Sequence, residues 1–430
     1  MNEVDVIVVG SGPGGAMVAR ELVRGGQRVL ILERGRDWRR HPLYGTYAGA
    51  LLYADRSALL FTREGMQIVR PLMVGGATSM YAACAAPPPP WLKDRHGVDV
   101  ETEAAVLAAE LDVKPLEPGL RGEASTRLAD AANSLGMAWT PQDKFMRPAR
   151  ARAFDCGAHC LLGCRCGAKW TAAELVDEAV DAGAELWTRA RVTRVLVEGG
   201  AAVGVAVTAR GRPSSVRARR VILAAGGIGS PMLLRTAGVA AGAGIAMDTT
   251  VIIYGSGAFA GMGSDPPMTW SKTDEELDVM YSTLLDPWLM YPIIMAVKGA
   301  AWPLTWPRWR RSLGVMIKLR DESSGGIDVR GRISKSLTAA DARRLNAAEQ
   351  VANRVLIAAG CSAGSLIRTP MRGTHPCATA RIGDAVDRDL ATAVRNLYVC
   401  DASVLPEALG RPTVLTIMAL ARRLAGSLLT

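Results

Sequence analysis

The stretch from Val4 to Glu33 constrains this chain more than any other. A short apolar run, Val4 to Val9, meets Gly10-Ser11-Gly12-Pro13-Gly14-Gly15. A helical pattern then runs to Arg24, Gly25-Gly26 stops it, and a second apolar run, Val29 to Leu32, ends in Glu33. Strand, turn, helix, turn, strand is a βαβ unit. Gly10, Gly12 and Gly15 match its three needs, a tight turn, close approach of backbone to a pyrophosphate, and close helix-to-strand packing; Gly14 stands in the same turn. The pyrophosphate would sit on the helix N-terminus, where free N–H groups and the dipole favour an anion. Glu33, followed by Arg34, is placed to accept hydrogen bonds from an adenosine ribose, and an acid there disfavours a 2′-phosphate. The unit predicts a dinucleotide site and leaves NAD and FAD both open.

At 430 residues, 49% of them hydrophobic, the chain has material for a packed core and a length prior of about two to four domains. Its net charge of +10 comes mostly from scattered Arg, densest at residues 34–40 and 308–311. Neither a continuous basic face with interleaved aromatics nor a binding module is present, so no nucleic-acid partner is expected. The opening MNEVDVIVVG enters a strand directly, with no basic segment, apolar core and cleavage site. The expectation is a cytoplasmic chain in a reducing compartment, without structural disulfides.

Residues 186–226 read as three or four strands with turns at Gly199-Gly200 and Gly211-Arg212, the last strand running Val221 to Ala225 into Gly226-Gly227. Strand-rich insertions returning to a glycine-ended strand are similar to the layout of two-dinucleotide-binding flavoproteins, which points to FAD. Three further stretches carry a family resemblance. They are Val74-Gly75-Gly76-Ala77-Thr78-Ser79-Met80; Gly226-Gly227-Ile228-Gly229-Ser230-Pro231 with Ala237-Gly238-Val239; and a tail with His375-Pro376, Arg381-Ile382-Gly383, Asn396 to Ser403 and Arg411 to Ile417. In order and spacing these resemble the glucose–methanol–choline (GMC) oxidoreductases over somewhat more than half of the chain.

The resemblance implies an α/β fold: a Rossmann-like FAD-binding domain of the two-dinucleotide-binding type with a smaller α+β substrate domain. The expected division assigns 1–85, 151–250 and 371–430 to the FAD domain, 86–150 to a covering segment that follows the prolines ending at Pro90, and 251–370 to the substrate domain. The expected cofactor set is Gly10, Gly12, Gly14, Gly15, Glu33, Arg34, Gly75, Gly76, Thr78, Ser79, Val192, Ala225, Gly226, Asp401, Pro412 and Thr413. Asp401 would lie near the pyrophosphate or ribityl, and the helix starting near Pro412 would aim its N-terminus at the flavin ring, where a positive end stabilises an anionic reduced flavin.

His375 matches the family's active-site histidine, which would take a hydroxyl proton while hydride leaves the carbinol carbon for flavin N5. Arg411 stands where the family usually has Asn or His, and Tyr81 where it commonly has Asn. A guanidinium cannot act as a base but can clamp a carboxylate or polarise a carbonyl. The expected reaction is therefore hydride exchange with a lipophilic alcohol or carbonyl, by a dehydrogenase or reductase. An acidic substrate, reduction of an activated double bond with Tyr81 or His375 as proton donor, and an electron-transfer partner without substrate chemistry stay open.

Cys156, Cys160, Cys164 and Cys166 crowd into eleven residues that contain Gly157 and Gly163 and are followed by Gly167. The spacing is neither a zinc-finger nor a bacterial ferredoxin pattern. The loop is expected to hold an iron–sulfur cluster, [4Fe-4S] first, as an electron exit toward a ferredoxin- or quinone-type carrier, with zinc or a buried thiol stripe as alternatives. Gly167-Ala168-Lys169 matches a segment of long-chain alcohol oxidase relatives. His159 is expected to be a bystander. Residues 284–311 carry Trp288, Trp302, Trp306 and Trp309 and end in Arg308, Arg310 and Arg311; four prolines and Lys298 argue against a membrane span. Core, pocket wall and peripheral membrane contact all remain open for them.

Overall fold

The computed structural model describes residues 4–157, 159–296, 299 and 302–430, the side chains of residues 302 and 303 apart; Lys298 lies outside the described residues. Two sheets organise the chain. In the first, Glu185–Trp187, Val29–Leu32, Val4–Val9 and the end of Arg212–Leu223 run parallel, and Leu397–Val399 adds a further parallel strand on Val221–Leu223. Val6, Ile7, Val8, Val221, Ile222 and Leu223 are fully buried, as strands covered on both faces must be. The first half of Arg212–Leu223 instead pairs antiparallel with Ala201–Ala209, which pairs with Ala190–Glu198. Its residues are mostly exposed, so one strand changes environment along its length.

The helix Pro13–Arg24 packs against Val414–Leu429 and Ala173–Asp181. Residues 414–421 bury the first two turns of the C-terminal helix on every side, and Leu424 and Ala425 continue one buried face beyond them. The carboxyl ends of the parallel strands bring Gly10, Glu33, Ala224–Gly226 and Cys400–Asp401 to one edge of the sheet. In open α/β sheets that edge is where ligands bind.

The second sheet runs Leu60–Phe61, Gln67–Ile68, Arg372–Gly373, Thr249–Ser256, Ser312–Leu319, Val279–Thr283, Trp270–Asp274, Thr140–Pro141, with Ile367–Arg368 also on Thr249–Ser256. Residues on both sides of the expected boundaries therefore join it, because short strands near 60, 140 and 372 find their hydrogen-bond partners here. Val251, Ile253, Val315 and Ile317 belong to a core shared with the helices Glu123–Ser134 and Ala339–Ala358. Thr250, Ile252, Met316, Lys318 and Met280 alternate to the opposite face. Within 86–150, Glu123–Ser134 covers this sheet while Glu101–Glu110 packs on the C-terminal helix of the other.

The tryptophan-rich segment divides. Trp309 donates its indole N–H to the Asp286 carbonyl at 3.0 Å and belongs partly to the core. Trp288, Ile293 and Leu304 are exposed, as are Leu51 and Leu52 on the helix Tyr47–Tyr53. The Leu289 N–H donating to Tyr47 Oη at 3.0 Å ties these two stretches together. Among the described residues no helix is long and apolar enough to cross a membrane.

Candidate active site

The turn after the first strand is built so that only glycine fits. Gly10 has φ 108°, and a Cβ on it would lie 2.3 Å from the Ala224 carbonyl oxygen. On Gly14 a Cβ would meet the Cys400 oxygen at 2.0 Å, and on Gly15 the Gly10 oxygen at 2.1 Å. Gly12 is different: nothing of the protein lies within 4 Å of its Cβ position, so the turn leaves open space at the residue expected to approach a pyrophosphate. The loop of Gly75 and Gly76, both at positive φ, leans over it, with the Gly76 Cβ position 2.8 Å from Gly12 Cα.

Glu33 gathers this cradle. Its carboxylate accepts from Ser11 Oγ at 2.6 Å, from the Ser11 N–H at 3.2 Å and from the Gly35 N–H at 2.7 Å. Ser11 Oγ in turn accepts from the Gly75 N–H at 3.3 Å. Burial pushes the Glu33 carboxyl above its ordinary pKa, against these hydrogen bonds. With about four acceptor sites on a carboxylate, one stays open to a ribose hydroxyl. Arg34 turns to Asp55 at 3.6 Å. Val192 pairs with Val207, two residues beyond Ala190, whose N–H donates to the Glu33 carbonyl at 2.9 Å.

Thr78 and Ser79 bond within their own loop: Thr78 Oγ1 donates to the Gly75 carbonyl at 2.6 Å and Ser79 Oγ to the Val74 carbonyl at 3.3 Å. Asp401 braces the start of the helix Gly226–Thr236, accepting from the Gly226 N–H at 2.8 Å and from Ser230 Oγ, while the Ser403 N–H donates to its other oxygen at 2.8 Å. Ala225 stands just before that helix. Pro412 and Thr413 precede the helix Val414–Leu429, whose first turn has no side-chain cap and contains Thr416 Oγ1, buried without a partner. Open space at Gly12, uncapped N–H groups and an orphaned hydroxyl fit a dinucleotide with its pyrophosphate on backbone donors.

His375 and Arg411 come together through a residue the sequence reading did not single out. Asp248, fully buried at positive φ, accepts from His375 Nδ1 at 2.7 Å and, through its other oxygen, from the Gly410 N–H at 2.8 Å. His375 is held below the usual histidine pKa by burial, with Lys318 adding to the effect and Asp248 opposing it. Its Nε2 has no partner among the described residues. The Arg411 guanidinium lies 3.6 Å from Glu275, and its Nε is buried without an acceptor. Tyr81 is not brought to His375 by any contact. Its hydroxyl donates to the Trp170 carbonyl at 2.9 Å and its ring lies under the Lys169 ammonium. That leaves it no free proton to deliver.

The four cysteines do meet: Cys156 and Cys160 lie at 3.0 Å, Cys160 is also hydrogen-bonded to Cys164, and Cys164 and Cys166 lie at 3.6 Å, with the Lys169 N–H donating to Cys164 Sγ at 3.4 Å. Among the described residues no three His, Cys, Asp or Glu side chains form a ready metal-ligand group. A cubane core would have to part sulfurs that now touch, so the expected cluster finds no support in this arrangement. Two buried ammonium groups stand beside the loop without a carboxylate partner among the described residues. Lys169 donates to the carbonyls of Cys160, Ser79 and Tyr81, and Lys144 to those of Ala82 and Pro267. Cys84, Cys361, Cys377 and Cys400 are buried in the cores, and all eight thiols are free.

The GMC oxidoreductase family profile matches residues 58–250 and 332–421, and an FAD-binding-domain profile matches residues 3–49. An uncharacterized GMC-type oxidoreductase of Mycobacterium tuberculosis is 27% identical over 99% of this chain and 76% of its own length. A long-chain-alcohol oxidase of Arabidopsis thaliana is 24% identical over 97% of this chain and 66% of its own. The crystal structure of pyridoxine 4-oxidase from Mesorbium loti superimposes with a TM-score of 0.72 over 99% of both chains at 18% identity, a likeness of fold. Glycine cradle, buried Glu33, the His375 turn and these matches agree: the chain is a member of the FAD-binding GMC oxidoreductases.

Proposed function

We propose that the chain exchanges hydride between FAD and a lipophilic alcohol or its carbonyl product, with His375 moving the hydroxyl proton. The hydrogen bond from His375 Nδ1 to Asp248 carries this reading, because it fixes the ring and leaves Nε2 without a hydrogen-bond partner among the described residues. Asp248 holds the proton on Nδ1, so Nε2 keeps its lone pair. A substrate hydroxyl donating to Nε2 gives up its proton there as the C–H bond breaks. FAD, when bound, supplies the two-electron acceptor for that hydride. Arg411 orients an oxygen of the substrate through its unpaired Nε–H. Because Tyr81 Oη is engaged by Trp170, His375 is the proton carrier in either direction.

The finer reading is a dehydrogenase that passes electrons to a carrier of ferredoxin or quinone type. The four-thiol loop with two buried ammonium groups beside it supports an anionic centre there in charge, though not in the present sulfur spacing. Iron and acid-labile sulfide at less than a tenth of an equivalent per chain after anaerobic purification would remove the cluster from the proposal. Exposed Leu51, Leu52, Trp288, Ile293 and Leu304 near the basic run Arg308–Arg311 support a lipophilic substrate met at a membrane surface.

The test of the central reading is anaerobic mixing with alcohols of increasing chain length. Bleaching of the flavin band by an alcohol, lost in His375→Ala with FAD still bound, is expected. A flavin untouched by every alcohol and not reoxidised by the matching carbonyls would end it.

A further inference from the structure

The face of the second sheet turned away from its covering helices carries a lysine, Lys318, that has no partner among the described residues. Lys318 sits in the wholly buried strand Ser312–Leu319 and is 2% exposed. Its ammonium, with three donors, makes no hydrogen bond or ion pair among the described residues. Buried ammonium groups elsewhere in the chain are satisfied: Lys335 pairs with Asp321 at 2.5 Å, and Lys169 and Lys144 have three carbonyls each. Donors that the protein leaves without acceptors are open to a bound group that supplies them.

Register places Lys318 beside the candidate active site. It lies directly opposite Thr250 on the neighbouring strand, so the two side chains share a face. Thr250 Oγ1 meets Thr374 Oγ1 at 2.7 Å and donates to the Asp248 carbonyl at 2.9 Å. Thr374 and Asp248 are the chain neighbour and the hydrogen-bond partner of His375. On the other side of Asp248 stands Arg411, next to Gly410, with its Nε also lacking an acceptor. Lys318 thus stands on the sheet face next to the Asp248–His375 pair, and Arg411 directly follows the residue bonded to the other oxygen of Asp248.

We propose that Lys318 and Arg411 bind an anionic group of the substrate, a carboxylate or phosphate carried by the alcohol whose hydroxyl faces His375. This rests on the proposed function for the hydroxyl, but the binding itself is independent of turnover. The substrate class becomes an amphiphilic hydroxy acid or phosphate ester, with the apolar part left to Met280, Met316 and Ile252 on the same face.

Titration calorimetry on the FAD-loaded protein tests it with three probes of one chain length: octanoate, octyl phosphate and octanol. An anionic probe is expected to bind at least tenfold more tightly than octanol, and whichever of the two binds better identifies the group. Lys318→Met should erase the preference, and Lys318→Arg should restore part of it, which separates charge from a folding defect; FAD content and circular dichroism check each variant. Equal affinity of all three probes, no binding by any, or an unchanged preference in Lys318→Met overturns the proposal. So does loss of FAD affinity in Lys318→Met with anion binding intact, which would assign the ammonium to the flavin. Anion binding without flavin reduction by any alcohol would instead sink the proposed function and leave this site standing.

Discussion

Asp248→Asn is the sharpest perturbation of the site. The asparagine oxygen can keep the Gly410 N–H, now 2.8 Å from Asp248, so the local backbone has reason to stay in place. Its amide nitrogen then faces His375 Nδ1, where the carboxylate now accepts at 2.7 Å. An amide N–H donates, so Nδ1 must accept and the ring proton moves to Nε2. A protonated Nε2 cannot take a proton from a hydroxyl. Loss of a hydrogen bond to a charged partner costs about 1.5–3 kcal/mol, or roughly 10- to 150-fold in rate at about 1.4 kcal/mol per tenfold. Displacing a general base altogether reaches ~10²–10⁴. The expected fall in the rate constant of anaerobic flavin reduction is therefore about 10²-fold, with FAD content unchanged. The pH profile gives a second readout. Burial already holds the His375 pKa below its ordinary value, so the acid limb of the wild type should lie under pH ~6.5. Because Asp248 favours the imidazolium, removing its charge lowers the pKa further and moves the limb to lower pH. The neutral ring also stabilises the folded protein above that pH, a contribution lost as pH falls through the folded value. Stopped-flow flavin reduction across pH measures both effects; an Asn variant within twofold of wild type and with an unmoved limb would refute the reasoning.

Gly14→Ala and Gly12→Ala should separate folding from cofactor binding. A Cβ at 14 enters the Cys400 carbonyl at 2.0 Å, whereas one at 12 meets no protein atom within 4 Å. Thermal unfolding of the apoprotein should fall by several degrees for Gly14→Ala only, while titration with FAD should show at least tenfold weaker binding for Gly12→Ala. Tyr81→Phe removes the bond to the Trp170 carbonyl and should cost about 1 kcal/mol in denaturant unfolding, leaving flavin reduction within twofold; a hundredfold slower reaction would restore it as a proton carrier. Asp401→Ala frees the Gly226 N–H, the Ser403 N–H and Ser230 Oγ at once, and should release FAD on gel filtration, with unchanged retention counting against its bracing role.

The sequence by itself determined the local parts. The βαβ unit from Val4 to Glu33 was legible because a strand, a glycine turn and a helix are specified by neighbours in the chain, and Gly10, Gly14 and Gly15 are required by contacts that the turn itself creates. The roles of the segments at 75, 226, 375 and 401 were legible through their resemblance, and the structure gathers them at one sheet edge. Only the tertiary structure decided what lies across the chain. Lys318 sits in a strand of ordinary composition and Asp248 just before another, and nothing within a few residues marks them. They acquire a meaning from the register that sets Lys318 against Thr250, and from hydrogen bonds linking Asp248 to residues 127 and 162 positions away. Tyr81 and the four cysteines show the converse: the sequence placed them near the site, but the partner of a hydroxyl and the spacing of sulfurs are set by packing. Periodicity and turn chemistry act over a few residues, whereas charge burial and hydrogen-bond pairing act through space, so the scaffold was readable before folding and the hydrogen bonding of His375 was not.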